Sequence, residues 1–221
     1  MSTIAVIGAG PGLGAATARR FGREGFSVAL VSRAQAHVDA LAAELTAEGI
    51  TARGYEADVL DRPALVSALA AAQKNLGPID VLQYSPIPMK RFLRHVLETT
   101  VDDVEVAAQF SILGLATAAA AVLPAMREIG AGTILLINGS TAAGPKVGYA
   151  GTSVAFAGES AYGRMLHDAL TDEGVHVAQL VIPHGIGRGL PDHEPEALAE
   201  TIWTIHQERG EYRTVVSGIG S

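Results

Sequence analysis

The 221-residue chain is 48% hydrophobic, contains 25 glycines and no cysteine, and carries a formal net charge of −7. That length suits one domain with a sizeable core, and the acidic balance without a basic run argues against nucleic acid or an anionic membrane as partner. Without cysteine there are no disulfides, thiol nucleophiles or cysteine-ligated metals, so a reducing cytoplasm is the expected compartment.

In chain order the elements alternate. An apolar run over 3–8 enters a glycine-rich turn and a helix over 12–24, with no basic leader of the kind a signal peptide shows. A strand over 27–32 follows. Val38, Leu41, Ala42 and Leu45 then space a helix over 34–48. A third strand is expected over 51–58. Leu65, Leu69, Ala72 and Leu76 repeat the helical period until Gly77-Pro78 stops it. The remaining strands are expected over 79–84, 133–138, 175–182 and 213–217, and the remaining helices over 99–109, 110–128, 150–172 and 195–208. Residues 106–126 carry no charge, but Gln109, Ser111, Gly114, Thr117 and Pro124 mark a buried helix rather than a membrane span. Strands apolar on both faces, alternating with helices, predict an α/β fold: a doubly wound parallel sheet with helices on both faces, as a single domain over 1–221. Its ligand site belongs at the carboxyl ends of the strands, where strand order reverses.

The turn IGAGPGLGAATARRF is the first chemical signal. Gly8, Gly10, Gly12 and Gly14, with Pro11 and Leu13 between them, allow a backbone to approach a pyrophosphate while helix N–H groups face the anion. Leu13 occupies the last glycine position of the G-x-G-x-x-G form of the dinucleotide pattern. At the end of the second strand, Ser32-Arg33 offers a guanidinium and no acid, which suits a 2′-phosphate. Asp58-Val59 follows the third strand; Asp58 suits either an adenine contact or a helix N-cap, a role for which Asp61 competes.

These residues resemble the short-chain dehydrogenase/reductase family over nearly the whole chain. The resemblance rests on the glycine pattern at 8–14, Ala57-Asp58-Val59, Ile79-Asp80-Val81-Leu82, Leu123-Pro124-Ala125-Met126, Gly132-Thr133-Ile134 leading to Ser140, and Gly174-Val175-His176-Val177 leading to Pro183. It implies a Rossmann-like fold, hydride transfer between nicotinamide and a small carbonyl or alcohol, and NADP(H) in preference to NAD(H). It also implies Ser85 and Pro183 beside the cofactor, and a homodimer or homotetramer formed through the 110–128 and 150–172 helices.

The family's chemistry needs a serine, a tyrosine, a lysine four residues after the tyrosine, and an asparagine. The serine matches Ser140, and the asparagine position falls on Ser111. The asparagine-rich segment after the fourth strand reads Tyr84-Ser85-Pro86. Taking Tyr149 as the tyrosine puts the lysine at Ser153; counting back from Pro183, the preferred frame, puts the pair at Thr152 and Phe156. No tyrosine of this chain has a lysine four residues on. A tyrosine without that aid titrates near about 10, and bringing it to neutral pH takes roughly 4 kcal/mol. Replacement groups are Lys146, three residues before Tyr149, and His184, after Pro183; Tyr84 either faces the pocket or packs. No spacing for metal ligands is present. Three readings stay open: an oxidoreductase with an atypical proton donor acting on a small molecule, a nucleotide-binding pseudoenzyme serving as sensor or partner, and a non-redox lyase or isomerase in the same pocket.

Overall fold

A computed structural model describes residues 2–217; Met1 and 218–221 lie outside the described residues. Seven parallel strands form one sheet in the order β3-β2-β1-β4-β5-β6-β7: β1 (Thr3–Ile7), β2 (Ser27–Ser32), β3 (Ala52–Glu56), β4 (Ile79–Tyr84), β5 (Gly132–Gly139), β6 (Val175–Ile182) and β7 (Arg213–Val215). Every residue of β1 and of β6 is buried, which is why these segments read as continuous apolar runs rather than alternating ones. Strand order reverses between β1 and β4, and the turns after both strands open onto the same edge of the sheet.

Helices α1 (Leu13–Arg23), α2 (Gln35–Ala47) and α7 (Pro195–Glu208) cover one face, where Phe21, Val38, Leu41, Leu198 and Ile202 meet Val28, Leu30 and Leu180. Helices α3 (Arg62–Leu76), α4 (Val101–Ala108), α5 (Gly114–Ile129) and α6 (Ala150–Leu170) cover the other, through Leu65, Leu69, Ala107, Leu115, Val122 and Ala155. Asp61 caps α3 by accepting from the Ala64 N–H, so Asp61, not Asp58, takes the N-cap. Thr100 and Asp103 form a reciprocal capping box at the start of α4. Gly130, at φ +70°, ends α5 in the left-handed region.

All seven expected strands and all the expected helices are present, most ends displaced by a residue or two and the start of the 110–128 helix by four. Among the strands the third departs most: expected over 51–58, it pairs only over Ala52–Glu56, and Ala57-Asp58-Val59 turn away to line a cavity. Expected helix 150–172 ends as a 3-10 turn over Thr171–Glu173. The two helices expected over 99–109 and 110–128 form one run, Val101–Ile129, joined by a π turn over Gln109–Leu113. By length and composition that run could cross a membrane; here Leu115, Ala118, Ala119, Val122 and Met126 are buried against the sheet and its neighbours.

The π turn has an identifiable cause. The hydroxyl of Tyr84, at the end of β4, donates to the Phe110 carbonyl and occupies the space where a side chain on Gly114 would project. A carbonyl drawn off the i→i−4 ladder is one way to accommodate the extra residue of a π turn. Tyr84 is 1% exposed and lines neither cavity. It packs, and burial holds its hydroxyl well above the usual tyrosine range.

Candidate functional site: two joined cavities at the strand ends

Two cavities open at the carboxyl ends of the strands. The larger, about 560 Å³, is lined by Gly8, Gly10, Pro11, Gly12, Leu13 and Gly14 on one side and by Ser140, Tyr149, Thr152, Phe156 and His184 on the other. The smaller, about 450 Å³, is lined by Ser32, Arg33, His37, Asp58 and Val59. Gly8, Gly10, Pro11, Pro86 and Ile87 line both, so the two are halves of one continuous cleft. Of the residues singled out from the sequence, Pro183, Lys146, Tyr84, Ser111 and Ser153 line neither cavity; Ile182 and His184, the neighbours of Pro183, do.

The four glycines do two different things. Gly8 lies at φ +89°, and a side chain there would meet the Ser85 carbonyl at 2.5 Å; one on Gly14 would meet Ala9 Cα at 2.9 Å. These two are required by the fold. A Cβ on Gly10 or Gly12 meets nothing within 4 Å. Their missing side chains leave open the space along the cleft, and Gly12 caps α1 with no side-chain bond, so the first N–H groups of the helix are offered to the cavity. An elongated cleft with a bare backbone in its middle and a guanidinium at one end fits a phosphorylated dinucleotide. Arg33 is exposed and has no salt bridge among the described residues. Asp58 accepts from the Leu60 N–H at 3.0 Å, which holds its turn against the smaller cavity. Ser85 Oγ donates to the Ile7 carbonyl and accepts from Gln83 Nε2, both at 3.0 Å, and so ties the ends of β1 and β4 together.

At the other end, the two possible placements of the tyrosine–lysine pair separate clearly. Ser153, 7% exposed, turns away from the cavity: its hydroxyl donates to the Tyr149 carbonyl at 2.7 Å and accepts from the Lys146 N–H at 3.0 Å. Thr152 and Phe156 both line the cavity, so an aromatic ring stands four residues after the threonine. Tyr149, the N-cap of α6, lines it too and is 45% exposed. Lys146 reaches back from the loop and donates from Nζ to Ser140 Oγ at 2.8 Å, leaving the serine O–H free to donate elsewhere. His184 is exposed beside the cavity. Its ring stands 5.3 Å from that of His193, which is 1% exposed and has no hydrogen-bond partner on either ring nitrogen.

A buried polar network behind this end was not anticipated from the sequence. Asn138, which lines the cavity, donates from Nδ2 to Glu159 Oε1 at 3.0 Å and accepts at Oδ1 from Gln179 Nε2 at 2.8 Å. Gln179 also donates to Ser160 Oγ at 2.6 Å and accepts from Arg213 Nε at 2.8 Å. Ser111, in the π turn, bonds Glu159 as well. Glu159 is 1% exposed, and burial raises its pKa to about 8 against the smaller opposing effect of those hydrogen bonds, so at neutral pH it is a carboxylic acid. The sequence signal was weak: a glutamate in a run of alanine, glycine and serine that shows no cation at helical spacing.

Comparison with known proteins agrees with this geometry. Over 142 residues the chain is 32% identical to the glycine betaine reductase ATRR of Emericella nidulans, matching 64% of this chain and 11% of that protein. Over 147 residues it is 29% identical to the 2,3-dihydro-2,3-dihydroxybenzoate dehydrogenase of Bacillus subtilis, matching 66% of this chain and 55% of that one. It thus spans about half or less of the length of these curated relatives. Among solved structures, a single-residue variant of the actinorhodin polyketide ketoreductase with NADPH superposes with a TM-score of 0.88 at 21% identity, covering 98% of this chain and 96% of that one. The short chain dehydrogenase profile matches residues 2–209. With a glycine turn between β1 and α1, a strand order that reverses beside it and a serine at the end of β5, the chain belongs to the short-chain dehydrogenase family.

Proposed function

We propose that the chain is an NADP(H)-dependent oxidoreductase that transfers hydride between nicotinamide and a small carbonyl or alcohol, with Ser140 and Lys146 as the proton-donating unit. The observation that carries this reading is the 2.8 Å contact from Lys146 Nζ to Ser140 Oγ at the edge of a cleft whose glycine backbone is bare. Bound along the cleft, the dinucleotide supplies the hydride. The Arg33 guanidinium would hold a 2′-phosphate, Asp58 would meet the adenine end, and the backbone at Gly10 and Gly12 would hold the pyrophosphate. As a substrate carbonyl becomes an alcohol, the Ser140 hydroxyl gives its proton to the oxygen, the Lys146 ammonium replaces it, and solvent recharges the exposed lysine. NADPH bound to the structurally similar ketoreductase supports the choice of cofactor.

The phenyl ring of Phe156 favours a second reading, in which the cofactor binds and little turnover follows. An apolar ring at that position neither grips a ribose nor lowers the pKa of a neighbouring hydroxyl. Titration with NADPH and, separately, NADH, followed by nicotinamide fluorescence, tests the cofactor half: micromolar NADPH binding, about 8 kcal/mol, with much weaker NADH is expected. Turnover lost in both Ser140→Ala and Lys146→Met, with binding kept, separates the first reading from the second. We further propose a homodimer or homotetramer through α5 and α6, which expose Leu113, beside α5, Val154 and Met165; light scattering in solution tests it.

A further inference from the structure

Resting on that reading, we propose that the larger cavity takes an uncharged, apolar carbonyl compound and discriminates against carboxylated ones. No Asp, Glu, Lys or Arg side chain is among the residues lining it. Beyond the glycine turn its apolar walls include Ile87, Leu93, Phe156, Ile182 and Ile186, and its uncharged polar lining includes Ser140, Thr152 and Asn138. Ile87, Leu93 and Ile186 are 78%, 46% and 38% exposed, so the apolar surface continues from the interior out to the rim. An apolar pocket with a few convergent polar groups orients a ligand by one polar atom and binds the rest by removing it from water.

Two arginines that flank Leu93 on this wall are held elsewhere. Arg91 Nε and Arg94 Nη1 both bond Asp103, at 2.9 and 3.1 Å, and Asp103 is 3% exposed at the capping box of α4. Lys146 is held on Ser140, where the reacting oxygen belongs. A carboxylate carried on the apolar part of a substrate, away from Ser140, would give up water without meeting a charged lining residue. The wall is also preformed. The Val96 N–H donates to the Val147 carbonyl at 2.8 Å, the Ala150 N–H donates to the Arg94 carbonyl at 3.0 Å, and a side chain on Gly151 would meet Phe92 Cα at 2.7 Å. The loop that carries Leu93 is thereby clamped to the start of α6.

Benzylacetone and 4-(3-oxobutyl)benzoate make the test, since they differ only in a carboxylate on the phenyl ring, at the end of the molecule away from the carbonyl. Binding of each to the full chain is measured by saturation-transfer NMR at pH 7.5, with and without NADPH. Benzylacetone is expected to bind at least tenfold tighter. In Leu93→Arg, a change at a half-exposed rim position, the preference is expected to fall by at least tenfold toward the benzoate. Equal or tighter binding of the benzoate by the unmodified chain overturns the proposal, as does absence of benzylacetone binding to protein that binds NADPH. Failure of NADPH itself to bind defeats the cofactor reading and is seen separately, because the ketone titration of the free protein does not depend on it.

Discussion

The two ends of the cleft are built by different means. At the Gly8–Gly14 end, geometry comes from backbone: two glycines are forced by close approach and two leave room open. At the Ser140–Phe156 end, it comes from side chains: a serine held by a loop lysine, an aromatic ring in the wall, and a protonated glutamate behind Asn138. A backbone-built site tolerates little substitution and keeps its pattern. A side-chain-built site can be rebuilt residue by residue on an unchanged frame, so the fold alone constrains the glycine end of the cleft more than the chemistry at the other.

The largest expected effect breaks the comparison from the side-chain end. Glu159 has a folded pKa of about 8 against an ordinary value of 4.5. Below pH 4.5 both states hold the proton and the buried neutral acid contributes fully. As the pH rises toward 8 the unfolded chain ionises first, and that contribution is lost, up to about 5 kcal/mol. Denaturant titrations between pH 5 and 8.5 should show stability falling with pH, and Glu159→Gln should flatten the slope. An unchanged slope in the variant would mean that Glu159 is ionised in the fold.

Next is Ser140→Ala, expected to lower turnover by about a thousandfold, near 4 kcal/mol, while NADPH affinity stays within about twofold. Steady-state rates of ketone reduction, alongside fluorescence titration, measure both. Retained turnover would remove the serine from the chemistry.

At the backbone end, Gly10→Val should cut NADPH affinity by more than about a hundredfold, roughly 3 kcal/mol, with the melting temperature nearly unchanged because its side chain enters open space. Gly8→Val should instead destabilise the fold. If both variants merely unfold, Gly10 belongs with the structural glycines and the division drawn here fails. Smallest is Arg33→Ala, expected to reduce the preference for NADPH over NADH by about tenfold, near 1.4 kcal/mol, without altering NADH binding.

Much of the architecture is legible along the chain because it rests on local periodicity. The apolar runs at 3–8 and 175–182 could only be strands buried on both faces, and Gly77-Pro78 could only end a helix. The stretch 85–98 reads as featureless, yet it folds into two short 3-10 turns, Lys90–Phe92 and Val96–Glu98, pinned by Asp103 and by residues 147 and 150. Those partners are distant enough in sequence that no local pattern announces them. The same holds for Tyr84, whose hydroxyl acts on a carbonyl 26 residues away.

The sequence by itself determined the alternation of strand and helix, the turn after β1 and the absence of a tyrosine–lysine pair. These depend on residue type, on spacing of a few residues, and on glycine's lack of a side chain. Tertiary structure decided that Ser153 faces the backbone and Phe156 the cavity, that Lys146 closes on Ser140, and that Glu159 keeps its proton. Each of these depends on which segments α6, β5 and the π turn bring within 3 Å of one another, and burial makes such contacts decisive: away from water, a polar group must take the partner that the fold supplies.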